Sequence, residues 1–200
     1  MPERQSRRAL LAEAAIEVLA REGGRGLTHR AVDREAALPA GTTEECFPSR
    51  ESLVEAVAAH MSEQHRAAVR ALHEQRPEVV TPEDVDHLYR AMLVRSTLDG
   101  RAQFLALMEL YLEAVRRPSI RTALGEMVTA NMDSAVALHR EAGRTLRQEE
   151  AGRLDAYFLG LAVSLLALPG DVLRRGGLDD PGALAPALRA AVASVPPMAD

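Results

Sequence analysis

The sequence predicts an all-α fold on three observations. Helix-forming Ala, Leu, Arg and Glu dominate the composition. Three Phe, three Tyr and no Trp leave little aromatic material for strands, and no alternating apolar stretch is long enough to form one. A chain of 200 residues, 47% apolar and 26% charged, falls in the globular range and is long enough for one large domain or two small ones.

Helix start and stop signals divide the chain, with boundaries good to about 2–4 residues. A first helix runs from about Gln5 to Glu22. Leu11, Ala15, Val18 and Leu19 share one of its faces, and Gly23-Gly24 ends it. Thr28 caps a short second helix, His29 to Ala36. After the interruption at Pro39, a third occupies Ala40 to Cys46, and Pro48 stops it. Ser49 caps a long fourth helix reaching about His73, with Leu53, Val57, Met61 and Leu72 facing inward. Gln75 to Val80, containing Pro77, reads as a linker. Thr81-Pro82-Glu83-Asp84 then supplies a cap, a first-turn proline and acidic residues for a helix reaching Leu98. Further helices are expected at about 101–116, 119–142, 148–168 and 181–194, the last shortened or kinked by Pro186.

Several kinds of chemistry are excluded by residues the chain lacks. All 24 basic residues are arginine, which removes phosphate-loop, Schiff-base and Ser–Lys mechanisms. A single cysteine, Cys46, excludes an intramolecular disulfide and a multi-cysteine zinc site, and fits a reducing, cytoplasmic setting. The opening MPERQSRR lacks the apolar stretch of a secretory signal. The longest apolar run, Ala156 to Pro169, is shorter than the roughly 20 residues that span a bilayer, so it reads as buried helix. The six histidines are scattered and Asp84-x-x-His87 occurs once, where a helical di-iron site needs two such motifs; neither metal nor cofactor is expected. No nucleophile, base and orienting group stand at a recognisable spacing, and the chain is not expected to be an enzyme.

A helix, two short helices across a tight turn and a long connecting helix make a helix-turn-helix module attached to a larger helical body. The residues agree with that arrangement. Leu11-Ala12-Glu13-Ala14-Ala15, Gly23, Thr28, Val32, Ala36, Leu38-Pro39-Ala40-Gly41-Thr42-Thr43, Phe47-Pro48-Ser49-Arg50 and Leu53 form a spaced series over about residues 9–57 that resembles the TetR family of transcriptional regulators. The resemblance implies a DNA-binding domain at residues 1–48, with Ala40 to Cys46 as its recognition helix. It also implies an effector-binding and dimerisation domain at 49–200. A dimeric repressor released from its operator by a small-molecule effector is the expected function. The alternative is a helical adaptor whose helix-turn-helix no longer binds DNA.

The DNA-facing set implied is Arg4, Arg7, Arg8, Thr28, His29, Arg30, Pro39, Ala40, Gly41, Thr42, Thr43, Glu44 and Arg50. Small residues at 40–43 let a backbone approach base edges, and threonine can hydrogen-bond while its methyl meets a thymine methyl. Arg30 and Arg34 stand one turn apart and could form a phosphate-facing stripe in a chain of net charge −5. Four positions depart from the family pattern. Ala37 stands where Gly is usual in the turn, and Asp33 replaces a small apolar residue. Glu44 stands where Tyr or Ser is frequent, with Glu45 beside it, and Cys46 where His or Tyr is frequent. Glutamate near phosphate is repulsive, yet it can accept from cytosine N4 at a base edge.

In the C-terminal part, Met92, Phe104, Met108, Tyr111, Met127 and Asn131 are the effector-pocket candidates, with Asn131 and Tyr111 as the polar groups. From Ala156 onward the helix at 148–168 is apolar over nearly its whole surface. With the helix at 181–194 it is expected to form a homodimer interface.

Overall fold

The computed structural model describes residues 2–180. In chain order these form α1 (Pro2–Gly26), α2 (His29–Glu35), α3 (Thr42–Cys46), α4 (Arg50–Glu74), α5 (Pro82–Thr97), α6 (Arg101–Ala114), α7 (Pro118–Glu141), α8 (Gln148–Ala167) and α9 (Gly170–Arg175). No strand occurs among the described residues, so the all-α expectation holds there. The helix expected at 181–194 lies outside them. No helix among them is long and apolar enough to cross a membrane.

Contacts divide the described residues into two compact units, one from 2–68 and 100–127, the other from 69–99 and 128–180. In the first unit the apolar face of α1 is fully used: Leu11, Ala15, Val18 and Leu19 are buried with Val32, Phe47, Leu53, Val57, Met61, Leu110 and Ile120. Helix α6 packs along α1, so α1 and the two short helices after it gain a core that they alone would not supply. In the second unit Val80, Val85, Tyr89, Leu138, Ala142 and Leu154 form a separate core, where α5 packs on α8. There the Tyr89 hydroxyl lies 3.2 Å from His139 Nε2, and Arg144 pairs with Asp86 at 3.3 Å.

The caps follow the sequence signals. Thr28 Oγ1 accepts from the Ala31 N–H at 3.2 Å. Ser49 and Ser52 bond reciprocally, each N–H to the other's hydroxyl oxygen at 3.1 Å. Thr81 and Asp84 form a full capping box. The expected linker after α4 is irregular but is anchored by the buried Val80.

Three features differ from expectation. Regular helix in α1 does end at Gly23 (φ 67°, ψ −178°), but a further turn carries the element to Gly26. Helix α3 begins at Thr42 rather than Ala40, because Gly41 takes a left-handed conformation (φ 96°) that holds the two preceding residues in the turn. Helix α9 lies between the helices expected at 148–168 and 181–194, where the sequence signals placed no element. Pro169 presets its start, and Asp171 and Arg174-Arg175 complement its dipole.

Ala37, in the turn after α2, has φ 53°. A Cβ in this region costs about 1–2 kcal/mol, partly offset by the greater unfolded-state freedom of glycine. Ala37→Gly is therefore expected to stabilise the protein by about 0.5–1 kcal/mol, raising the midpoint of a circular-dichroism melt by roughly 1–4 °C.

Candidate functional site

The turn between α2 and α3 is organised around a carboxylate. Asp33 lies on the inward side of α2, only 4% exposed. Its Oδ2 accepts from the Gly41 N–H at 2.8 Å. Its Oδ1 accepts from the Thr43 N–H at 2.8 Å and the Thr43 hydroxyl at 2.5 Å. One side chain thus satisfies two amide donors at the start of α3, which a helix leaves unpaired there. Burial alone would push the Asp33 carboxyl pKa up. The three hydrogen bonds from Thr43 and Gly41, with His29 nearby, outweigh it and hold the pKa below the usual carboxylate range.

The far end of α3 is held as well. His29 Nε2–H donates to the Phe47 carbonyl at 2.6 Å. Arg8 donates to the Cys46 carbonyl, and its guanidinium lies over the Phe47 ring, 4.3 Å from the centroid. Two basic side chains beside α3 are thereby spent on its C-terminal carbonyls, where the helix dipole favours them.

The expected DNA-facing residues separate into two groups. Arg4, Arg7, Arg30, Pro39, Ala40 and Glu44 are exposed, and Gly41 and Thr42 are half-buried. Thr28 is exposed but serves as the α2 cap. Thr42 donates its hydroxyl to the Pro39 carbonyl at 2.7 Å. Thr43, also expected on the base-facing surface, is 0% exposed here and its hydroxyl is committed to Asp33. Arg30 and Arg34, both exposed, form no side-chain hydrogen bond or ion pair among the described residues. With Asp33, Leu38 and Ala40 they line an open hollow of about 380 Å³.

Arg50 points elsewhere. Its Nη2 donates to the Gly24 carbonyl at 2.8 Å and to Glu113 on α6 at 2.9 Å. The Gly24 N–H in turn donates to Glu109, one turn earlier on α6, at 2.9 Å. Helix α6 therefore grips both polar groups of the Gly24 peptide position, one directly and one through Arg50. Gly23 permits the approach, since a Cβ there would lie 3.3 Å from Glu109 Oε1. Burial would raise the Glu113 pKa, but hydrogen bonds from Arg50 and Arg117 outweigh it and lower it.

Of the effector candidates, Phe104, Met108, Tyr111 and Met127 belong to the first unit and Met92 and Asn131 to the second. Phe104 and Met127 are buried, and Tyr111 packs against the first core. Met92 is 37% exposed, and the Asn131 side-chain amide donates to Asp155 on α8 at 2.7 Å.

Sequence reasoning missed the organising roles of Asp33, Glu109 and Glu113. Asp33 did carry a signal, a charge on the apolar face of a short helix; the two glutamates, four residues apart on α6, carried none that named a distant partner.

Asp33→Asn removes the charge and leaves a donor facing donors. It is expected to cost about 2–4 kcal/mol in urea unfolding at neutral pH. Because the folded-state pKa is lowered, this stabilisation is complete above the ordinary carboxylate pKa and is lost as pH falls through the folded value. The gap between wild type and Asp33→Asn should therefore narrow as pH falls below the ordinary carboxylate pKa and through the lowered folded value.

Residues 80–195 match the family model of the tetracyclin repressor-like C-terminal domain. No curated protein matches the chain. Among solved structures, a TetR-family member from Streptomyces coelicolor A3 is 27% identical, covering 98% of this chain and 100% of that one with a TM-score of 0.63. The multidrug binding protein EbrR, complexed with ethidium, is 27% identical over 91% of this chain and 98% of that one, TM-score 0.63. Salmonella enterica GusR, 22% identical over 94% and 93% with a TM-score of 0.65, shares the fold. With a family match over more than half its length, a helix-turn-helix at its start and an all-helical body, the chain belongs to the TetR family of transcriptional regulators, DNA-binding proteins that are not enzymes.

Proposed function

We propose that this chain is a cytoplasmic, homodimeric repressor that binds an operator through residues 1–48 and is released by a small-molecule effector held within 49–200. The observation that carries the DNA-facing assignment is the sorting of its arginines. Arg8 and Arg50 are engaged inside the first unit, whereas Arg30 and Arg34 stand exposed and uncommitted beside the turn into α3. Exposed guanidiniums one helical turn apart suit phosphate contact, which supplies affinity without sequence information.

Effector release is supported by the grip of α6 on Gly24. Phe104, Met108 and Tyr111 lie on the same helix as Glu109 and Glu113, so an effector that shifts α6 acts on the turn leading into α2. An effector preferring the shifted arrangement weakens operator binding by its differential affinity for the two states. EbrR, complexed with ethidium or proflavin, makes a small organic molecule a reasonable effector class. The homodimer is supported by α8 and the residue following it, where Tyr157 and Val163 (each 38% exposed) and Leu168 leave apolar surface uncovered.

Fluorescence anisotropy against DNA from immediately upstream of the coding region tests the proposal. Tight binding that depends on sequence and falls with salt is expected; equal, weak binding to that duplex and to a scrambled one, with no duplex enriched from a genomic pool, would favour the adaptor reading. Arg30→Ala and Arg34→Ala should each weaken binding across all sequences and reduce the salt slope by about 1, while Arg50→Ala should leave the slope unchanged. In sedimentation equilibrium, Tyr157→Glu with Val163→Glu should convert a dimer to a monomer of half the mass; an unchanged mass would remove α8 from the interface.

A further inference from the structure

We infer that Glu44 and Glu45 are the residues through which this protein discriminates among DNA sequences, and that they read the exocyclic amino group of cytosine. The inference rests on the DNA-binding reading above and adds to it the base that is recognised.

It begins with what α3 has left to offer. Thr43 is buried, and its hydroxyl is donated to Asp33. The Thr42 hydroxyl proton is donated to the Pro39 carbonyl, so that oxygen can only accept from anything further. Cys46 is half-buried and its carbonyl is taken by Arg8; His29 is tied to the Phe47 carbonyl. No lysine exists, and no arginine lies within α3. Glu44 and Glu45 are exposed, and neither forms a side-chain hydrogen bond or ion pair among the described residues. The outward side of the helix therefore presents hydrogen-bond acceptors almost exclusively.

The major-groove edges of the bases respond differently to such a surface. Guanine presents two acceptors, thymine an acceptor and a methyl group, and adenine a donor beside an acceptor. Cytosine alone presents a donor, its N4 amino group, with no acceptor on its own edge. A carboxylate is thus matched by cytosine and opposed, in part or wholly, by the other three. Nearby phosphates repel the same carboxylate, so an incorrect base leaves it both unpaired and desolvated, which sharpens discrimination. Arg30 and Arg34 offset that repulsion from α2, giving a division in which α2 anchors and α3 selects.

A selection from a random duplex pool with the full-length protein, followed by anisotropy on the recovered site, tests the inference. Wild type is expected to recover a fixed cytosine in each half-site, and replacing it should weaken binding about 5–100-fold. Exchanging the paired guanine for 7-deazaguanine, which removes an acceptor on the opposite strand, should change affinity less than about twofold. Glu44→Gln or Glu45→Gln should shift the selected base from cytosine toward adenine, whose N6 and N7 match an amide, and should tighten binding to unrelated duplex as a negative charge is lost. Because both side chains are exposed and unpaired, melting curves of the variants should superimpose on wild type, so a changed selection cannot come from misfolding. Identical selections by wild type, both single variants and the double variant would overturn the inference while leaving DNA binding intact, as would a large loss on 7-deazaguanine. A pool from which wild type recovers nothing would overturn the DNA-binding reading itself, and this inference with it.

Discussion

Everything distinctive about the N-terminal module depends on one buried carboxylate. A five-residue helix has too few internal hydrogen bonds to hold its own geometry, and α3 is such a helix. Asp33 supplies what it lacks: two amide donors and a hydroxyl converge on its oxygens, fixing where α3 starts and which side faces outward. The ionised form suits this role, since a carboxylate offers acceptors only, and every group facing it here is a donor. His29 and Arg8 complete the restraint at the other end, using the carbonyls of Phe47 and Cys46. The helix is therefore held at both termini by side chains rather than by its own length.

That restraint also decides which charges remain available. Side chains that look alike in sequence have different duties in the fold: Arg8 and Arg50 support the module, Arg30 and Arg34 face solvent, Glu109 accepts from the Gly24 N–H, Glu113 holds the Arg50 that bonds the Gly24 carbonyl, and Glu44 and Glu45 form no side-chain hydrogen bond or ion pair among the described residues. Affinity and selectivity can then be assigned to separate elements. Long-range attraction to phosphate needs exposed, mobile cations, whereas base discrimination needs groups whose alternatives are costly. The grip of α6 on Gly24 adds a third duty, linking the helix that carries Phe104, Met108 and Tyr111 to the turn that leads into α2.

Much of the fold was legible because local signals and burial agreed. The face of α1, the caps at Thr28, Ser49 and Thr81, and the stop at Gly23 each follow from periodicity or backbone chemistry within a few residues. The helix-turn-helix was legible from its spaced motif, and the strained Ala37 from its place in the turn. What escaped was set by contacts distant in sequence. Nothing near Arg50 announces that Glu113, 63 residues later, will hold it. Nothing near Thr43 announces that an aspartate ten residues earlier will draw it inward, although the charge at Asp33 was itself an anomaly on an apolar face. Helix α3 starts two residues later than Ala40, since Gly41 is left-handed and its N–H is held by Asp33, eight residues earlier.

The central claim, that an ionised Asp33 positions α3, is tested most directly by an NMR pH titration of the Asp33 side-chain carboxyl carbon together with the Gly41 and Thr43 amides. The expected result is a midpoint below the usual carboxylate range, with both amide signals moving in step with the carboxyl. A carboxyl that titrates at or above that range, or amides that do not follow it, would contradict the account.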